Sequence, residues 1–330
     1  MEAPTPEAAA EEPLFRRSRQ MMGTIIAITV VGQPDAVAAP AVDAAFREME
    51  GLEAILSEWR PDSEISRINA AAGKGPVKVG EHTLAVVRAG LEVSRWSQGA
   101  FDLSWAALRG MYTFQPGEET VPDAEALASR LPLIDYRRIE LDEKKHTVEL
   151  LDAGMKIGTG GIAKGYALDQ AAKVLRKAGI DRFMLFGGGQ VQVSGQRKAG
   201  RGWRVGIQHP RKDDYFGFIE ATSGSISTSG DYEHAFIKDG RRWHHILDLK
   251  TGLPVEHTTS VTVLADSGLY ADAVSTAIFA LGAERAWPLL ADAPGNPRVV
   301  LVDRDMRLHV TENLGKGLVL RTELKDGRLP

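Results

Sequence analysis

Ser227-Thr228-Ser229-Gly230-Asp231-Tyr232, followed by His244-His245-Ile246-Leu247-Asp248, Thr251-Gly252 and Ala271-Asp272-Ala273-Val274-Ser275-Thr276, is the stretch on which the reading of this chain turns. Up to about residue 267 it reads as strand, with Lys238-Asp239-Gly240 as the turn of a hairpin whose second strand carries Trp243 to Asp248. A helix then covers about 268–281. The same stretch gathers hydroxyls, imidazoles and carboxylates of the kind that hold a divalent cation on a phosphate, a density of small oxygen ligands for which a packed core has no use.

Upstream, Gly23 to Val31 is β-branched and predicts a strand. Val42, Ala45, Phe46, Met49, Leu52 and Leu56 recur at helical spacing and predict an amphipathic helix over about 35–57. Residues 60–81, with Pro, Ser, Asn and Gly, read as a loop, and a second helix follows over about 82–97. Pro122 and Asp123 open a short helix that Pro132 closes. Ile139-Glu140-Leu141 and Val148-Glu149-Leu150 form a hairpin pattern, and a helix over 162–178 ends at Gly179. Strands in groups, with helices between the groups, argue for an α+β fold rather than a regular βαβ alternation.

The chain has 330 residues, 43% of them hydrophobic and 25% charged, with a formal net charge of −4. That length allows one large domain or two intertwined parts. The charge gives no electrostatic case for nucleic acid or an anionic membrane as partner. With no cysteine, thiolate catalysis, zinc–thiolate sites and disulfides are excluded, and the composition fits an oxidising compartment. No apolar run approaches the roughly 20 residues of a membrane span. Residues 1–20 lack an apolar signal core and read as a flexible leader, with the domain proper over 21–330.

Three constellations carry chemistry. On a helix, Asp272, Ser275 and Thr276 fall at i, i+3 and i+4, so one carboxylate and two hydroxyls share a face and offer hard oxygen ligands to Mg²⁺; an ordinary polar helix face has the same look. In the strand ending the hairpin, His244 and His245 point to opposite faces, so one imidazole is exposed and one turned inward, either able to serve as general base or as a structural residue. Gly158-Thr159-Gly160-Gly161-Ile162-Ala163-Lys164-Gly165 leads into a helix, where free backbone N–H groups and a lysine suit an anion. The run is not a P-loop. It matches a dinucleotide fingerprint formally, but the next strand ends in Gly187-Gly188-Gly189-Gln190 without the acidic residue that fingerprint needs. Trp59, at the exit of the first long helix, either stacks on a flat ligand or caps the core.

Together with Met22-Gly23-Thr24, Asp62-Ser63-Glu64-Ile65-Ser66-Arg67-Ile68-Asn69, Gly99-Ala100-Phe101-Asp102 and Trp203-Arg204-Val205-Gly206-Ile207-Gln208, these segments in this order resemble the ApbE family, the FAD:protein FMN transferases, from about Met22 to Thr311. The resemblance implies a T-fold-like α+β architecture of mixed sheets and packed helices around a flavin cleft. It implies Mg²⁺-dependent transfer of the FMN moiety of FAD to a Thr or Ser hydroxyl of a target flavoprotein, with release of AMP. By the same resemblance Asp272, Ser275, Thr276 and the carbonyl of Gly161 hold the metal, and His245 assists the acceptor. The resemblance also implies that Met22, Trp59, Ala100, Phe101, Asp102, Lys164 and Thr228 contact FAD. The implied partner is an exported or membrane-associated flavoprotein of an electron-transfer system, in a periplasmic or exported setting. Two positions depart from the family pattern: Gly158 stands where many members carry an aspartate, and Gln190 stands where many have Gly-Gly-Asp. A flavin-binding carrier without transfer is the reading those two losses favour. A dinucleotide-dependent oxidoreductase is the reading the glycine run alone would favour.

Overall fold

The computed structural model describes residues 12–330. In chain order the elements are β1 (Leu14–Met21), β2 (Thr24–Val31), α1 (Asp35–Leu56), α2 (Glu64–Ala70), β3 (Val77–Lys78), α3 (Glu81–Trp96), α4 (Ala124–Arg130), β4 (Ile139–Asp142), β5 (Thr147–Leu150) and α5 (Ala163–Lys177). There follow β6 (Phe183–Gly187), β7 (Gln190–Ser194), β8 (Trp203–Gln208), β9 (Tyr215–Ala221), β10 (Ser223–Gly230), β11 (Ala235–Lys238), β12 (Arg241–His244), β13 (Thr258–Ala265), α6 (Gly268–Ala286), β14 (Arg298–Asp303), β15 (Leu308–Val310) and β16 (Leu318–Leu320).

An eight-stranded sheet in the order β1-β2-β6-β7-β10-β13-β14-β15 forms the middle layer. Alternation along each strand decides which side is covered by what. Ile26, Ile28 and Val30 of β2 and Val261 and Val263 of β13 face the helices, packing with Val42, Phe46 and Met49 of α1 and with apolar residues of α5 and α6. Val191, Val193, Ile226, Leu264, Val300 and Val302 face the other way, against Trp203, Ile207, Phe216 and Ile219 of the small sheet β16-β9-β8. β13 is buried along its whole length because both of its faces are covered. The fold is α+β, as the grouping of strands predicts.

Every strand pair among the described residues is antiparallel. The helix after the glycine run, α5, connects β5 of the small β3-β5-β4 sheet to β6 of the large one, so it is no part of a parallel βαβ unit. That topology removes the dinucleotide-fold reading of Gly158 to Gly165.

Two expectations need correction. The leader predicted over 1–20 is strand from Leu14 onward, paired residue for residue with β2; residues 1–11 lie outside the described residues. This edge strand looks polar because Arg17 and Arg19 lie between Phe15 and Met21 on its inward face, with Arg16, Ser18 and Gln20 on the exposed one. The two arginines are matched by Asp43 and Glu50 of α1, at 2.6–3.0 Å, while Phe15 and Met21 are buried. The loop predicted over 60–81 contains α2, seven residues long. Ser63 caps it by accepting from the Ser66 N–H at 3.0 Å, and Ile65 and Ile68 are its two buried anchors.

α5 and α6 cross at two glycines. A Cβ on Gly165 would overlap the carbonyl of Gly268, and one on Gly268 would overlap the carbonyl of Gly165. Gly165→Ala is therefore expected to lower unfolding free energy by about 3 kcal/mol. Gly51→Ala, on an open face of α1 where an added Cβ meets nothing, is expected to raise it by about 0.5–1 kcal/mol. Denaturant midpoints of the two variants check the pair; equal, small effects would contradict the tight crossing.

Candidate functional site

The helix crossing brings the oxygen cluster of α6 and the glycine run together. Asp272 lies one turn into α6, nearly buried, and its Oδ2 accepts the Gly165 N–H at 3.0 Å. Burial pushes its carboxyl above the usual range, opposed by the Lys164 ammonium and the Gly165 N–H. Ser275 and Thr276 follow on the same face. Ser275 Oγ donates to the Asp272 carbonyl at 2.8 Å, and Ser229 Oγ of β10 lies 2.9 Å from Ser275 Oγ and 3.4 Å from Thr276 Oγ1. The glycine run passes over this face: a Cβ on Gly161 would sit 3.5 Å from Thr276 Oγ1 and 3.3 Å from the Phe101 ring. Lys164, in the first turn of α5, reaches back to the Gly160 carbonyl at 3.2 Å.

Among the described residues there is no cluster of three or more His, Asp or Glu side chains of the sort that binds a metal by itself. The donor set is instead one desolvated carboxylate, two or three hydroxyls and backbone carbonyls. Such a set suits Mg²⁺, which takes one or two carboxylates and fills the rest of its shell with water and phosphate oxygens. Asp272, Ser275, Thr276 and the Gly161 carbonyl are the atoms that could hold it.

The tandem histidines divide as strand alternation predicts, although the ladder of β12 stops at His244 rather than running on to Asp248. His244 is buried. Its Nε2 donates to the Val255 carbonyl at 2.9 Å and its Nδ1 accepts the Ile246 N–H at 3.3 Å, which fixes one neutral tautomer. His245 is exposed, with its backbone N–H on the His234 carbonyl at 3.2 Å and its ring edge-on to His234. Closely packed protein, the two neighbouring imidazoles and Lys164 all hold its pKa below the ordinary value. The Lys164 charge acts on both His245 and Asp272.

The remaining sequence-predicted residues fall in two groups. Met22 forms the β1–β2 turn at φ 51°, its N–H held by Glu53 Oε1 at 3.0 Å; Trp59 is 74% exposed at the exit of α1; Phe101 lies against Gly161. Of these, Phe101 touches the glycine run directly. Asp102 and Thr228 are turned to other tasks. The Asp102 carboxylate caps the helical turn Leu103–Leu108 through Ser104 and accepts the Tyr136 N–H at 2.7 Å. Thr228 faces away from Ser227 and Ser229, with its hydroxyl 2.9 Å from that of Thr262.

Comparison with known proteins agrees with the geometry. The model of the ApbE family matches residues 22–301. The chain belongs to the ApbE family. It is 31% identical to the FAD:protein FMN transferase of Treponema pallidum over 95% of this chain and 90% of that protein, and 30% identical to one from Klebsiella pneumoniae over 84% and 85%. The solved ApbE protein of Thermotoga maritima superposes with a TM-score of 0.84 at 29% identity, covering 92% of this chain and 99% of that one. The flavin transferase ApbE of Vibrio cholerae does so at 0.83 and 27%, covering 93% and 99%. The relatives carry the names of transferases, and this member of the ApbE family is an enzyme of that class.

Sequence reasoning missed three contributors. Ser229 was legible within the opening stretch, since it shares a strand face with Ser227. Asp169, whose carboxylate accepts the Gly268 and Leu269 N–H groups at 2.8 and 3.0 Å and so anchors the start of α6, gave no local signal beyond being acidic. Glu58 is the third: it is buried beside the glycine run, and its partner Arg109 is remote in sequence.

The histidine geometry predicts an acid-labile fold. Burial holds the pKa of His244 below its ordinary value. Above an unfolded-state pKa of about 6.5 the group is neutral in both states, and its contribution is fully present. As pH falls below that, the unfolded chain takes up the proton first, and stability is lost until the folded pKa is reached, at up to about 1.4 kcal/mol per pH unit. Urea midpoints between pH 7 and 5 are expected to fall in the native chain and to fall less steeply in His244→Gln. Parallel slopes would show that His244 does not carry the effect.

Proposed function

We propose that this enzyme transfers the FMN moiety of FAD to a Thr or Ser hydroxyl of a target flavoprotein and releases AMP, with Mg²⁺ as cofactor. One observation carries the reading: the face of α6 that holds Asp272, Ser275 and Thr276 meets the glycine run, at Gly165 through Asp272 and at Gly161 beside Thr276. The names of the relatives support the flavin substrate and the protein acceptor.

Asp272, the hydroxyls of Ser275 and Thr276 and the Gly161 carbonyl would hold Mg²⁺, which when bound neutralises charge on the pyrophosphate. The chain's own residues supply the rest. Backbone N–H groups at the start of α5 and the Lys164 ammonium bind phosphate oxygens and hold the FMN phosphorus in place. His245, neutral near pH 7 and open to solvent, accepts the proton of the acceptor hydroxyl as its oxygen bonds to that phosphorus. The bond between this phosphorus and the bridging oxygen breaks, and AMP leaves. Trp59, largely exposed, offers an indole face for the flat ring of the ligand.

The acceptor in this reading is a flavoprotein of an electron-transfer system in a periplasmic or exported setting. Among the described residues no helix is long and apolar enough to cross a membrane. The carrier reading rested on the missing carboxylates at Gly158 and Gln190. Gln190 is buried in the sheet, where its amide donates to Ser225 Oγ at 2.7 Å, so its side chain serves the fold.

Incubation with FAD, Mg²⁺ and an acceptor domain is expected to add an FMN-sized mass to the acceptor and to yield equimolar AMP. His245→Ala is expected to lower kcat by about 100-fold or more with FAD affinity kept, and Asp272→Ala to abolish both transfer and its Mg²⁺ dependence. Tight FAD binding without mass gain on any acceptor would overturn the transferase reading. Full transfer by Asp272→Ala would overturn the metal assignment.

A further inference from the structure

The carboxylate of Glu58, buried beside the glycine run, takes no part in the steps proposed above. Glu58 follows the end of α1, and its side chain is 5% exposed. One oxygen, Oε2, accepts the Thr159 N–H of the glycine run at 2.6 Å; the other, Oε1, pairs with Arg109 Nη2 at 2.6 Å. Arg109 Nη1 donates in turn to the Glu58 carbonyl at 2.8 Å, and the guanidinium lies 4.6 Å from the centre of the Trp59 ring. Thr159 closes the loop by donating its hydroxyl to the Leu56 carbonyl at 2.7 Å. The Glu58 carboxylate thus ties the exit of α1 to the segment after Leu108 and to the glycine run.

Trp59 gains most from this arrangement. It is 74% exposed, the most exposed large apolar side chain of the described residues, and a free indole in that position would sample several rotamers. Arg109 lies over its ring at cation–π distance and is itself fixed by Glu58. The same carboxylate explains the glycine at 158. A Cβ there would lie 2.5 Å from Glu58 Oε2 and 2.9 Å from the Trp105 ring. The space beside the run is already filled by an acidic side chain arriving from α1.

We propose that Glu58 and Arg109 are positioning residues for the flavin nucleotide: their ion pair locks Trp59 as a stacking surface and the glycine run as a phosphate cradle into one rigid rim, with Glu58 supplying the rim's carboxylate in place of any side chain at 158. The inference rests on the FAD reading above. The pair acts through Trp59 and Thr159 and takes no part in proton transfer. Its loss therefore shows in ligand binding and leaves the chemical step unchanged.

The test is direct FAD binding, followed by flavin fluorescence with Mg²⁺ present, alongside transfer kinetics. Glu58→Gln and Arg109→Met are expected to weaken FAD binding and raise KM by about tenfold, with kcat within about twofold of the native enzyme. Gly158→Asp is expected to weaken binding more than either, because two carboxylates then contest one space. The exchange variant Glu58→Ala/Gly158→Asp is expected to recover most of that loss, which a merely structural ion pair would not do. Native affinity in both Glu58→Gln and Arg109→Met would overturn the proposal while leaving the flavin reading intact. So would an exchange variant no better than Gly158→Asp alone. A native protein that binds no FAD would overturn both.

Discussion

The close crossing of α5 over α6 at Gly165 and Gly268 is the constraint on which the site depends. Without side chains at those two positions the backbones come near enough for the Gly165 N–H to reach Asp272, and Asp169 of α5 reaches back to cap α6. That contact fixes a phosphate-type helix start, with its lysine, beside a carboxylate and two hydroxyls. The position of Asp272 has a cost: its carboxylate is taken from water with one backbone donor and a nearby ammonium as compensation. A group held this way is poorly satisfied by the protein alone, and the proposed cation would supply the missing compensation.

The large antiparallel sheet presents the second half. β10 turns Ser227 and Ser229 toward α6 and Ile226 toward the opposite core, so hydroxyls reach the helix face without opening the sheet. Beyond β10 the hairpin β11–β12 delivers one histidine to the core and the next to solvent. The two imidazoles differ in environment by a single step of strand alternation. Burial and a double hydrogen bond make His244 structural; exposure makes His245 available to a second macromolecule.

Much of this was legible in the sequence because it is written at short range. The spacing of Val42, Phe46, Met49 and Leu52 gives α1, the i, i+3, i+4 set gives the face of α6, and the glycines before Lys164 give an anion-type helix start. The parts that escaped depend on partners remote in the chain. β1 reads as polar leader until Asp43 and Glu50 are seen to balance its arginines, and Glu58 reads as surface until Arg109 and Thr159 are seen to enclose it. Asp102 shows the converse. Its place in a family-like motif suggested a ligand contact, yet its carboxylate is committed to capping a turn and to Tyr136, which local sequence does not reveal.

The central claim is that the oxygen cluster on α6 and the glycine run take a divalent cation jointly with a pyrophosphate, neither binding well alone. Mn²⁺, which prefers the same oxygen ligands and reports its binding by loss of the free-ion electron paramagnetic resonance signal, tests this most directly. Titrated into the protein, Mn²⁺ is expected to bind weakly without nucleotide and at least about tenfold more tightly with FAD, the gain vanishing in Asp272→Asn. Equal Mn²⁺ affinity with and without FAD, or a gain that survives Asp272→Asn, would contradict the account.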